Sequence, residues 1–112
     1  MKTLIYDRNK IKDYKQFYED LYKDLAGDTI PDWDKFEYLG YDADRLNEFM
    51  WYCHENENEY IFKNFDLEKI ENYIKDNSYE NYQWWLIFDV FKDFVKDYPK
   101  NKLKFVNDND KN

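Results

Sequence analysis

Three short strand-like segments, at residues 4–6, 60–62 and 103–106, the last with Lys104 among its apolar residues, are separated by long segments whose apolar residues recur every three or four positions. This alternation constrains the fold more than any other feature of the sequence. Strands separated by helical connections cannot close as tight hairpins. The chain must cross over between them, which gives parallel pairing and right-handed crossovers. The elements read β-α-α-β-α-α-β. The expected fold is α/β, a small domain with a three-stranded parallel sheet in the order 1-2-3 packed against helices.

The individual elements carry their own punctuation. Leu4, Ile5 and Tyr6 run together without a 3.6-residue period, as a short buried strand over residues 2–7 does. Asp13 has the character of an N-cap, with Gln16 at the third helical position to complete a capping box. Phe17, Leu21 and Leu25 follow at helical spacing, flanked by Tyr14 and Tyr18, and Gly27 ends the helix. Residues 28–41, with Pro31 and Gly40, form a long loop. Asp42 can cap a second helix carrying Leu46, Phe49, Met50 and Cys53 at i, i+3, i+4 and i+7, which ends in the polar run 54–58. A second strand follows at 60–62, reaching toward Phe65. Asp66 can cap a third helix with Leu67, Ile70, Tyr73 and Ile74, broken by Asn77 and Ser78. Ile87, Val90, Phe91, Phe94, Val95 and Tyr98 define the last helix. Pro99 stops it, and the third strand runs over 103–106. Residues 1–106 are read as one domain and 107–112 as a polar, disordered tail.

Composition decides which partners such a domain can attract. The 22% of aromatic residues supply a core despite 38% charged residues, so the chain does not read as disordered. Seventeen basic residues against 25 acidic ones leave a net charge of −8. That field repels phosphate backbones and anionic lipid, and draws in basic proteins. Neither direct nucleic-acid binding nor membrane binding is expected. A single cysteine, Cys53, excludes an internal disulfide. No run is long and apolar enough to span a bilayer, and the first residues turn polar too early for a secretory signal. A cytoplasmic location is expected.

Residues for chemistry are scarce. The only histidine, His54, directly follows Cys53. Neighbours one apart on a helix point in different directions, so the two do not form a nucleophile–base couple. Cys53 reads as a small core residue, and His54 as a solvated residue near a helix end. The acidic pairs lack the Cys and His company of a zinc site, and no calcium loop is present. Gly27 and Gly40 are the only glycines, so no phosphate-cradling loop exists. No catalytic residue, cofactor or metal is expected. The acids, however, are ordered. Asp44 and Glu48 lie four apart on the second helix, with Tyr52 one turn further, and Asp89, Asp93 and Asp97 repeat the spacing on the last. Such rows are either solvated faces of an acid-rich protein or a surface built for a cationic site.

The segment Tyr38-Leu39-Gly40-Tyr41-Asp42-Ala43-Asp44-Arg45-Leu46-Asn47-Glu48-Phe49 resembles the signature of the barstar family of ribonuclease inhibitors. In that family an aromatic pair precedes a glycine, a polar residue opens a helix, and two acids four apart face the ribonuclease. Gly40, Asp42 and Leu46 match the glycine, the helix opener and a core leucine. Asp44 and Glu48 fall on the acidic positions, and Tyr38 on a tyrosine that packs against the enzyme. Val90-Phe91-Lys92-Asp93 is similar to the family's stretch on its last helix, whose acid also meets the ribonuclease. The resemblance implies a partner-binding set of Tyr38, Tyr41, Asp44, Asn47, Glu48 and Asp93. Departures concern the partner more than the fold. Asn47 stands where the family has tryptophan, Glu48 is one methylene longer than the family's Asp, and the loop before Gly40 is longer.

Several functions fit these residues. The resemblance implies an immunity protein, monomeric when free, that blocks the active site of a basic protein toxin, a ribonuclease in the first instance. An acidic mimic of nucleic acid, inhibiting a DNA- or RNA-binding protein, fits the composition equally. An enzyme or small-ligand binder lacks its chemistry. A plain interaction module would use Trp33, Trp51, Trp84 and Trp85, which do not all fit the core stripes and either pack under the long loop or mark a partner surface.

Overall fold

The computed structural model describes residues 1–26 and 40–108. Among these, the elements are β1 (Lys2–Asp7), α1 (Tyr14–Ala26), α2 (Ala43–Tyr52), a single 3₁₀ turn (His54–Asn56), β2 (Asn58–Lys63), α3 (Leu67–Glu71), α4 (Tyr73–Asp76), α5 (Tyr79–Asp97) and β3 (Lys102–Val106). The three strands are parallel in the order β1-β2-β3. Their register places Leu4 beside Tyr60 and Tyr60 beside Leu103, then Tyr6 beside Phe62 and Phe62 beside Phe105. These alternate residues point to one face, where the helices bury them. The opposite face carries Ile5, which is 58% exposed, with half-buried Ile61 and exposed Lys104 in the same row.

Each helix follows from its caps and its stripe. Asp13 accepts the Gln16 N–H at 3.0 Å, and the Gln16 side chain reaches back to the Lys12 N–H at 2.8 Å. That is one residue earlier than a capping box requires. Tyr14, Phe17, Tyr18, Leu21, Tyr22 and Leu25 are all buried, so the two tyrosines that flank the stripe in sequence belong to the core. Asp42 caps α2 by accepting the Asp44 N–H at 2.8 Å. Asp66 caps α3, and Ser78 caps α5 through the Asn81 N–H.

Three boundaries differ from the sequence expectation. The strand expected at 60–62 begins at Asn58, because Asn58 is buried with its N–H donated to the Asn101 carboxamide oxygen at 2.7 Å and its own side chain on the Tyr60 hydroxyl. It ends at Lys63, before Phe65, and Asn64, with φ 64°, turns the chain. The helix expected over 67–74 is two short ones. Asn72 stands at the break, with φ −104° and ψ 29°, and both its backbone N–H and its side-chain amide donate to the Glu68 carbonyl, at 3.1 and 2.8 Å. The last helix starts at Tyr79, two turns before its clearest stripe, and Ser78 opens it rather than merely breaking what precedes. Trp84 thereby becomes the largest fully buried side chain.

The core between sheet and helices is aromatic. Phe62 meets the rings of Tyr6, Phe17, Phe65, Phe88, Phe91 and Phe105 with centroids 5.0–5.8 Å apart. Polar clamps close its margins. Buried Asn101 joins the start of β2 to the carbonyl of His54. At the other end of the sheet, the Asn64 side-chain amide donates to the Asp7 and Asp108 carboxylates and its oxygen accepts the Asp108 backbone N–H, while Lys63 pairs with Asp108 at 2.8 Å. The segment expected to be a disordered tail is thus tied at Asp108, and residues 109–112 lie outside the described residues.

Glu80, in the first turn of α5, is a third clamp. One of its oxygens accepts both the Tyr14 backbone N–H and the Trp84 indole N–H, each at 2.7 Å, with the Arg8 guanidinium 4.0 Å away. Glu80→Ala leaves both donors without this acceptor in a largely buried setting and is expected to cost about 2 kcal/mol or more in denaturant unfolding. Glu80→Gln, which keeps one acceptor oxygen, is expected to cost less. Equal unfolding midpoints for wild type and Glu80→Ala would contradict this role.

Burial also fixes the alkaline behaviour. Desolvation pushes the Tyr60 hydroxyl up to about 12 and raises Tyr18 and Tyr6 as well, Tyr6 also through its hydrogen bond to Asp24. These groups keep their protons in the folded state where the unfolded chain has lost them. Their stabilising contribution is complete below pH 10 and is lost as pH rises from there through the folded values. Melting temperature is expected to fall steeply above pH 10, and phenolate absorbance to show a block of tyrosines that ionise only on unfolding. Smooth titration of all tyrosines near pH 10 in the folded protein would overturn this.

Candidate partner-binding face

The two sides of α2 have opposite character. Leu46, Phe49 and Met50 are buried, and Cys53, just past the helix, is 1% exposed with its thiol pushed up to about 11 by desolvation. Asp44, Asn47, Glu48 and Trp51 are exposed on the other side, as positions 3, 4 and 7 apart on a helix require. Asp44 lies in the first turn, where the helix dipole favours a carboxylate. Glu48 stands one turn further. The segment entering α2 is shaped for this placement. Gly40 has φ 54°, a left-handed conformation that glycine adopts without the Cβ penalty, and Asp42 follows in extended geometry as the cap.

The other expected contact residues fall as follows. Tyr41 is 39% exposed, its ring edge-on to Tyr18 at 6.1 Å with the Lys15 ammonium 5.6 Å from its centroid, so it rests on α1. Asp93 is exposed on α5, the helix against which α2 packs. Asp89 and Asp97 are exposed on the same helix, and so are Lys92 and Lys96. Tyr38 and Trp33 lie outside the described residues. The structure therefore brings Asp44, Asn47 and Glu48 to one helix face and places Asp93 on the neighbouring helix.

Of the remaining tryptophans, Trp84 is core, whereas Trp85 is 38% and Trp51 53% exposed. Tyr52 is 63% exposed and packs edge-to-face on Trp51 at 5.3 Å. His54, read from sequence as solvated, is half-buried. Its ring stacks on Tyr98 at 4.5 Å and lies 5.9 Å from Trp51, and its Nδ1–H bonds the Trp51 carbonyl. The spacing of Trp51 and His54 carried a signal for their contact. The stacking on Tyr98, 44 residues away, is a tertiary fact without one.

Among the described residues no helix is long and apolar enough to cross a membrane, and no group of three or more His, Cys, Asp or Glu side chains could hold a metal ion. Comparisons with protein-family models, with curated proteins and with solved structures find no match.

Proposed function

We propose that the chain is an immunity protein that blocks the basic active site of a toxin, a ribonuclease in the first instance. The observation that carries this reading is the pairing of exposed Asp44 and Glu48 on the outer face of a helix whose inner face is locked in the core. A ribonuclease site is cationic because it must hold phosphate. Two carboxylates about one helical turn apart, on a rigid support, can occupy phosphate positions and pair with Arg, Lys and His there. The net charge of −8 supplies long-range attraction, which raises the association rate and makes it salt-sensitive. Asp93 on α5 extends the acidic surface.

The Asp89–Asp93–Asp97 row favours a second reading, a mimic of nucleic acid. Both acidic rows share their helix with cations, Lys92 and Lys96 on α5 and Arg45 on α2, so charge count leaves the two readings level, and the placement of Asp44 and Glu48 one turn apart on a rigidly backed helix favours the inhibitor. The test is RNA cleavage by a panel of basic secreted ribonucleases, barnase-type enzymes included, with the chain added at equimolar concentration. One-to-one suppression of at least one enzyme supports the proposal. Undiminished cleavage by all of them, together with displacement of nucleic acid from a non-catalytic binding protein, supports the mimic instead.

A further inference from the structure

Trp51 and Tyr52 sit side by side on the surface, and among the described aromatic residues Tyr79 alone is comparably exposed. Both are more than half exposed, at the end of a helix whose other side is fully buried. They are nevertheless held in place. Tyr52 meets Trp51 edge-on, and His54 lies against Trp51 with its Nδ1–H on the Trp51 carbonyl. Tyr98 stacks on His54, and Phe94, buried in the core, packs on Tyr98 at 5.3 Å. The indole is therefore a backed, preorganised surface rather than a loose side chain, and it buries little unless something covers it.

The surrounding charges say what would cover it. Asp44 and Glu48 precede Trp51 by seven and three residues along the same line of α2. Past the helix end, the 3₁₀ turn carries exposed Glu55, which borders a separate cleft together with His54, Glu57 and Asp97. An indole face is electron-rich, and the carboxylates that precede it on the same face of α2 deepen its attraction for a cation. A guanidinium group meets both demands at once: it stacks flat on the ring while its N–H fork reaches a carboxylate, which an ammonium cannot do. A second copy of this chain would bring the same acidic face and be repelled.

We propose that the end of α2 is a binding subsite for an arginine side chain of a basic protein partner, with Trp51 as the platform and Glu48, three residues before it on the same face, as the flanking carboxylate. The inference rests on reading α2 as the recognition helix, and it adds the residue class on the partner that the helix selects. It is tested on the isotope-labelled full chain by following the indole N–H signals of its four tryptophans, with Trp51 assigned by Trp51→Phe, during titration with hexa-arginine and with hexa-lysine. Hexa-arginine is expected to move the Trp51 signal saturably and ahead of Trp85. Trp51→Leu is expected to weaken binding about two- to thirty-fold, Glu48→Gln to weaken it measurably, and hexa-lysine to bind more weakly than hexa-arginine. Equal affinity for the two peptides with no effect of Trp51→Leu would reduce the subsite to diffuse charge and overturn it. A Trp51 signal that moves with protein concentration alone would overturn it in favour of self-association. The two readings fail separately. A ribonuclease inhibited equally by wild type and Trp51→Leu removes the subsite and leaves the inhibitor. Arginine binding at Trp51 with no ribonuclease inhibited does the reverse.

Discussion

Phe62→Ala is expected to destabilise the chain by about 3–5 kcal/mol, as removal of a fully buried phenylalanine does. Phe62 sits on the central strand at 1% exposure and touches six aromatic rings drawn from β1, α1, α5, β3 and the β2–α3 connection. Its neighbours are rigid rings anchored on different elements, so the cavity cannot close by a small shift of one of them. For a domain of this size the loss corresponds to a fall in Tm of roughly 15 °C or more. Ile5→Ala, on the open face of the same sheet, is the control. Ile5 is already 58% exposed and its truncation is expected to cost less than about 1 kcal/mol. Denaturant unfolding of the two variants checks the contrast. A Phe62→Ala variant as stable as Ile5→Ala would mean that the sheet does not bury the face described.

The same alternation explains what the sequence could reveal. Short apolar runs between helical stripes contain the parallel topology, because only crossovers join such strands. Local caps such as Asp42, Asp66 and Asp13 were legible because their effect lies within three residues. Asn58 was not, since its burial depends on Asn101, 43 residues away. The start of α5 was hidden because Tyr79, Tyr82, Trp84 and Trp85 place aromatics on several sides of the helix at once, and only packing decides that Trp84 goes inward and Trp85 partly outward. Asn72 shows the opposite case, a local cap in which side chain and backbone N–H both bond the Glu68 carbonyl and the helix ends within the continuing apolar stripe of Ile70, Tyr73 and Ile74. For the candidate face, helical spacing was enough to place Asp44 and Glu48 together. The seating of Tyr41 on Tyr18 and the stacking of His54 on Tyr98 depend on tertiary contacts that no local pattern encodes.

Asp44→Ala and Glu48→Ala are expected to act on binding and not on folding. In a basic active site each carboxylate faces cations that are desolvated in the complex, and truncating one leaves a buried charge unpaired at a cost of about 2–5 kcal/mol. Affinity then drops by tens to thousands of fold, roughly tenfold per 1.4 kcal/mol. Both side chains are exposed in the free chain, so stability is expected to change by no more than about 0.5 kcal/mol. Asp44→Ala also removes a carboxylate from the first turn of α2, which makes it the less neutral of the two for folding. Asp89→Ala and Asp97→Ala are expected to alter chiefly the association rate and its salt dependence.

The most direct test of the central claim is calorimetric titration of a ribonuclease that the chain inhibits, using wild type and the double variant Asp44→Ala/Glu48→Ala, with melting curves recorded on the same samples. The expected result is one-to-one binding by wild type and a loss of at least about a hundredfold in the double variant, with melting temperatures that stay close together. Binding by the double variant at wild-type affinity, or a loss that tracks unfolding, would contradict the active-site plug.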